Sequence, residues 1–301
     1  MNGIIVINKP KDYTSFDVVA VMRRLIGEKK IGHTGTLDPM ATGVLPILVG
    51  RATKLQSFIL EADKEYIATF QLGVTTDTLD ITGKVLSSVT SQVKALELKD
   101  VLTSFRGRIK QVPPMYSAVQ KNGVRLYDLA RKGIEVEREA REVTINELRL
   151  LRFDETSQSG TFLVNCSKGT YVRTLCDDIG KKLGCGAVLT NLQRTKTCDF
   201  DIKNSITLDE ARELAANGVL HKSILPCDVV LKQYKAVKLP DAQVNRFKNG
   251  GKLSLDRISN LGRLEKDELV RVYSRDDKFI GLGKASPEKN ELAVACLVEV
   301  V

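Results

Sequence analysis

Short apolar runs with strand spacing alternate with longer stretches of helical periodicity along most of this 301-residue chain, with neither filler nor an internal repeat. Such alternation, with many strand runs, calls for an α+β core: a mixed, largely antiparallel sheet flanked by helices. Residues 3–7 form a β-branched run that stops at Lys9-Pro10, as a buried strand does. Thr14 and Asp17 stand at capping-box spacing, with Asp where Glu or Gln is usual. Val18, Val19, Met22, Leu25 and Ile26 then share one helical face before Gly27. After a glycine-punctuated loop (32–43) and an apolar run (44–49), residues 53–60 read as a helix and 66–72 as an alternating strand.

Two regions depart from this pattern. Residues 106–142 carry nine Lys/Arg against five Asp/Glu, and Pro113-Pro114 excludes a central strand there. Within them 124–132 reads as a short helix stopped by Gly133, so the segment is an excursion from the core, of the kind that tends to carry function. Strand (161–167), a Lys168-Gly169 turn and helix (171–183) then resume. From 231 to 301 short strands and glycine turns return, with 14 Lys/Arg and 10 Asp/Glu, which reads as a small separate β-rich domain. The expected division is therefore 1–230, with the insertion at about 106–142, and 231–301.

Composition narrows the function. The formal charge of +9 favours a polyanionic partner through counterion release. Six scattered cysteines without a CxxC pair and two histidines, His33 and His221, supply neither a zinc pattern nor a disulfide framework. The cysteines read as small buried hydrophobes in a reducing compartment. The N-terminus lacks a signal-peptide pattern and no stretch approaches ~18 consecutive apolar residues. The expectation is a cytoplasmic monomer without a membrane span, metal or cofactor.

The chemistry concentrates in GHTGTLDPMATG, residues 32–43. Its glycines permit close approach of a ligand backbone, and Pro39 biases Asp38 toward an extended conformation. The spacing is not that of a P-loop. Read alone, Asp38 could equally cap the amides of a tight turn.

The run His33-Thr34-Gly35-Thr36-Leu37-Asp38-Pro39 with Ala41-Thr42-Gly43 resembles the signature of the TruB family, the tRNA pseudouridine-55 synthases. Further matching segments follow in order: Asn8-Lys9-Pro10, Ala52-Thr53-Lys54, Asp63-Lys64-Glu65-Tyr66, Val112 to Ala118 and Cys166 to Leu175. The likeness is dense over 3–230 and thins beyond it, where the chain by position resembles the family's PUA-like RNA-binding module. The resemblance implies an isomerase that flips uridine 55 out of the tRNA T loop, breaks its C1′–N1 bond and rejoins the base through C5, with no cofactor and no obligatory protein partner. It makes Asp38 the essential carboxylate, as nucleophile or base, Arg173 its ionic partner and Tyr66 the aromatic that stacks on the flipped base or relays a proton. His33 is implied to contact the RNA, with Lys9, Lys54, Tyr171 and Leu192 as further pocket residues. The 106–142 insertion becomes the family's RNA-gripping thumb. Two other readings use the same surfaces: an RNA-binding or RNA-folding protein without catalysis, and a sister synthase acting on ribosomal RNA or within a guide-RNA complex.

Overall fold

The computed structural model describes residues 1–59, 62–258, 262 and 264–299. Strand β1 (Gly3–Lys9) is buried on both faces and ends at Pro10. Helix α1 (Ser15–Ile26) opens with the Thr14/Asp17 capping box, the shorter Asp side chain still reaching the Thr14 amide at 2.8 Å. It ends at Gly27, whose φ of +71° is the left-handed cap that glycine accepts without strain. Strands β2 (Ile31–His33) and β3 (Thr42–Val49) bracket the glycine-rich loop. The helix expected over 53–60 is instead a 3-10 turn, Gly50–Leu55, running into one α-helical turn, α2 (Gln56–Ile59). The Thr53 hydroxyl bonds back to the Gly50 carbonyl at 2.8 Å, which favours the tighter turn. Leu60 lies outside the described residues.

Strand β4 (Lys64–Leu72) alternates buried and half-buried residues as expected. A hairpin, β5 (Val74–Thr76) and β6 (Val85–Ser88), leads to α3 (Ala95–Thr103) and β7 (Gly107–Gln111). Beyond β7 a two-residue ribbon, β8 (Gln120–Lys121) and β9 (Val124–Arg125), precedes α4 (Leu126–Arg131). The helix expected over 124–132 thus gives its first two residues to a strand pair. The long strand β10 (Arg141–Asp154) pairs with β7, so both ends of the basic insertion belong to the main sheet and only 112–140 leaves it. Strand β11 (Ser159–Cys166), α5 (Val172–Lys182), β12 (Ala187–Thr197) and the two-residue β13 (Phe200–Asp201) complete the sheet.

The strand order is β1-β3-β12-β4-β11-β10-β7, with β2 on β3 and β13 on β12. Every pair is antiparallel except β12 against β3, which bears out the expected α+β core with a mixed, largely antiparallel sheet. One face packs against α1, α3, α5 and α6 (Leu208–Ala216) through Val18, Met22, Leu98, Leu102, Leu175, Ile179 and Ala211. The opposite face of β1 and β3 meets a second sheet.

That second sheet joins β14 (Lys235–Lys238), β15 (Leu253–Ser254), β16 (Leu269–Tyr273), β17 (Phe279–Ser286) and β18 (Glu291–Leu297), with α7 (Asp241–Lys248) alongside. It has its own core around Phe247, Val270 and Ile280. A shared apolar cluster, in which Leu282, Cys296 and Val298 meet Ile4, Val44, Ala52 and Leu55, fastens it to the back of β1 and β3.

Candidate active site

The loop between β2 and β3 is held from three sides before any substrate arrives. From α1, the Ser15 hydroxyl accepts from the Leu37 amide at 2.9 Å and donates to its carbonyl at 3.3 Å. From the end of β1, the fully buried Lys9 ammonium donates to the carbonyls of Pro10 (2.9 Å), Tyr13 (2.6 Å) and Pro39 (3.2 Å). From β12, Arg194 donates to Gly35 O (3.1 Å) and Val44 O (2.7 Å), one carbonyl on each side of the loop. Gly43 makes the third hold possible. A Cβ there would lie 2.1 Å from the Arg194 carbonyl, and its φ is +106°.

Asp38 does not spend its carboxylate on its own turn. The backbone closes that turn, with the Ala41 amide donating to Asp38 O at 3.0 Å. The carboxylate instead forms an ion pair with Arg173, its Oδ2 3.0 Å from Nε. Burial pushes its pKa above the usual carboxylate range, Arg173 opposes the push, Asp80 adds to it and Lys9 opposes it. With 35% of the side chain still open, water screens part of these effects.

Arg173 enters from the first turn of α5. No side chain caps that helix, but the buried Gln111 amide clamps its start. Gln111 Oε1 accepts from the Tyr171 amide at 2.7 Å and Nε2 donates to the Tyr171 carbonyl at 3.1 Å. The guanidinium is engaged at each nitrogen: Nε is ion-paired with Asp38, Nη1 donates to Asp80 Oδ2 (3.3 Å) and Thr78 O (3.2 Å), and Nη2 donates to Tyr116 O (2.8 Å). Tyr116 lies at the root of the insertion, so that segment contributes directly to the site.

Sequence reasoning missed two members of this constellation. Asp80 is 4% exposed and is fixed by the Thr78 hydroxyl (2.9 Å) and by the Thr82 amide (3.0 Å) and hydroxyl (2.5 Å). Its only sequence signal is a run of threonines and aspartates that reads as an ordinary turn. Arg194 is 1% exposed, in a strand segment whose neighbours Gln193 and Lys196 look like surface.

Of the expected residues, Tyr66 lies buried on β4, directly across from Arg194 on β12. Burial raises its pKa, and the Arg194 guanidinium beside it opposes that rise. Leu192 is buried on the same face of β12, two residues from Arg194. Tyr171 borders Asp38, its phenol pKa raised chiefly by burial. His33 is buried edge-on against the exposed Phe16 ring at 5.4 Å, and its Nδ1 accepts from the Gly35 amide at 3.3 Å. Burial, and then Arg194, lower its pKa. Lys9 is brought close to Asp38 but has its donors on carbonyls; burial lowers its pKa to about 8 against the pull of Asp38. Lys54 is not drawn in. It is exposed on the 3-10 turn whose Ala52 and Leu55 pack toward the second sheet.

Comparisons with known proteins come from the whole length of the chain. Residues 23–172 match the family described as TruB family pseudouridylate synthase (N terminal domain). Residues 173–232 match a tRNA pseudouridylate synthase B C-terminal domain, and 236–298 match Pseudouridine synthase II TruB, C-terminal. A protein of Clostridium tetani named tRNA pseudouridine synthase B is 46% identical over 289 residues, 96% of this chain and 97% of the relative. One of the same name from Clostridioides difficile is 43% identical over 98% of both chains. Among solved structures, a chain of a Cbf5-Nop10-Gar1 complex superposes with a TM-score of 0.73 at 28% identity, covering 99% of this chain and 84% of its own. A chain of an H/ACA RNP bound to a substrate RNA containing 2′-deoxyuridine gives the same TM-score at 26% identity and the same coverage.

Proposed function

The chain belongs to the TruB family and is an isomerase that converts uridine to pseudouridine in tRNA, and within that activity we propose that Asp38 is the essential carboxylate acting on a uridine flipped from the T loop at position 55. One observation carries the reading. Asp38 is the open end of a buried ionic chain, and Arg173 holds it at 3.0 Å while Arg173 itself is fixed by Asp80, Thr78 and Tyr116. An arginine so anchored sets both the direction and the ionisation of the carboxylate it faces.

The reaction needs no redox change and no phosphate chemistry. The C1′–N1 bond breaks, the base turns, a C1′–C5 bond forms, the hydrogen on C5 leaves as a proton and N1 gains one. Asp38 serves the first half in its ionised form, by attack at C1′ or by taking a proton at C2′. Tyr66 contacts the base and serves the second half, a role supported by its burial next to Arg194. A uridine inside folded RNA reaches such a pocket only by leaving its stack. The basic insertion, rooted at Tyr116, and the C-terminal sheet grip the T arm through phosphates. The enzyme works as a monomer without an obligatory protein partner, and in the cytoplasm, where its six free thiols suit a reducing compartment.

The test incubates unmodified tRNA with wild type and with Asp38→Asn and maps pseudouridine along the RNA. Wild type should modify uridine 55, and Asp38→Asn should lose turnover by at least about 10³-fold while still binding tRNA. An unmodified position 55 refutes the target, and full activity of Asp38→Asn refutes the role of the carboxylate.

A further inference from the structure

Arg194 is the largest of the fully buried side chains among the described residues, and its partners are backbone carbonyls, Gly35 O and Val44 O, rather than carboxylates. A buried guanidinium is costly unless its charge is answered by something in its surroundings. The ionic chain around Arg173 does not use it, yet it lies at the heart of the site. Its backbone pairs with Gly43, its side chain spans the Asp38 loop, and its cross-strand neighbour is Tyr66.

We propose that Arg194 is a positioning residue for the second half of the reaction: while holding the Asp38 loop at both ends, it supplies the fixed cation against which Tyr66 gives up and regains its phenolic proton. The proposal rests on Tyr66 being the proton relay. After the C1′–C5 bond has formed, N1 and C5 flank the same ring carbon, C6, and one phenol can serve both. Tyr66 gives its proton to N1, becomes a phenolate beside Arg194, and takes the proton from C5, ending as it began. The base has then gained hydrogen at N1 and lost it at C5, as the isomerisation requires. A preorganised cation at the site of transient negative charge is the arrangement that lowers such a barrier most. Burial alone would make the phenolate costly, and the guanidinium opposes that cost. The phenolate is also the partner that the buried charge of Arg194 otherwise lacks.

The experiment is a double-mutant cycle on the full-length protein, with single-turnover rates and tRNA affinities for wild type, Arg194→Met, Arg194→Lys, Tyr66→Phe and both double variants. Arg194→Met should slow the single-turnover rate by roughly 10²–10³-fold with little change in tRNA affinity, and Arg194→Lys should recover part of the rate. In the Tyr66→Phe background neither Arg194 change should slow the reaction further. Equal factors in both backgrounds overturn the proposal and leave Arg194 merely structural; if Arg194→Met does not fold, the lysine arm decides. Should Tyr66→Phe keep the wild-type rate, the relay reading of Tyr66 fails on its own. That outcome overturns the proposal too; if instead Tyr66→Phe is too slow to measure, titration of 13Cζ-labelled tyrosine decides, with the Tyr66 signal assigned by its loss in Tyr66→Phe. An upward shift of the Tyr66 midpoint in Arg194→Met or Arg194→Lys supports the fixed cation, and an unmoved midpoint rules it out.

Discussion

Two arginines are buried in one site, and they are stabilised in opposite ways. Arg173 lies between two carboxylates, with Asp38 on Nε and Asp80 on Nη1, and the carbonyls of Thr78 and Tyr116 accept from Nη1 and Nη2. Arg194 is more deeply buried and donates to two backbone carbonyls, with no carboxylate partner among the described residues. The difference appears in their neighbours. The charge of Arg173 acts on Asp38 and on Tyr171, whereas Arg194 shifts Tyr66, His33, Lys9 and Lys64. A charge answered at close range fixes geometry locally, and one left unanswered sets the potential of a whole pocket.

The largest effect expected from this contrast comes from breaking the answered pair. Arg173→Met leaves Asp80 buried without its cation and Asp38 without its guide. Stability should fall by about 3–5 kcal/mol in urea unfolding, toward the lower end because the Asp38 side opens to water. Turnover should fall further than tRNA affinity. Arg194→Met removes a buried charge that has no carboxylate partner among the described residues, so its cost should be the smaller of the two. A larger loss for Arg194→Met would break the comparison.

Gly43→Ala attacks the close approach that allows Arg194 to reach across the loop. The added methyl would meet the Arg194 backbone, and φ at this position is hostile to any side chain. Destabilisation of more than about 2 kcal/mol is expected, since a backbone clash cannot be relieved by a rotamer. A wild-type melting temperature would show that the strands separate easily here.

Asp80→Asn keeps the shape and removes one charge from the answered pair. Turnover should drop by roughly 10²-fold as Arg173 loses part of its anchor. The pH profile carries a sign. Asp38 must be ionised and its pKa is raised, so activity is lost as pH falls through a value above the ordinary ~3.9. Asp80 contributes to that rise, so Asp80→Asn should move the acid limb downward. An upward move would mean that Asp80 acts on Asp38 only through the aim of Arg173.

What could be read from the sequence was whatever is local. The capping box at Thr14 depends on residues three apart, and the alternation of β4 depends on the residue two away. The tight turn at 50–55 was misread because the choice between α and 3-10 rests on one hydroxyl and on packing against the second sheet. Asp38, Tyr66 and Arg173 were legible only through whole motifs, and their meeting is a tertiary event. Asp80 and Arg194 had no such signal. Their partners lie 93 residues away for Asp80 and up to 159 for Arg194, and nothing in a threonine-rich turn or a polar strand foretells burial.

The smallest effects are also the most direct reading of the unanswered charge. Lys9 sits at about 8, drawn down by burial and Arg194 and held up by Asp38. Asp38→Asn should therefore lower the Lys9 midpoint, and Arg194→Met should raise it, by a fraction of a unit to about one unit each. His33 should follow Lys9 upward in Arg194→Met, because Arg194 lowers it as well. Both groups can be followed by NMR, through the lysine Cε and the imidazole carbons. Opposite movements of Lys9 in the two variants would show that one pocket-wide potential has a negative and a positive source. If Lys9 and His33 both ignore Arg194→Met, the guanidinium is screened after all, and the two arginines differ in their partners but not in their reach.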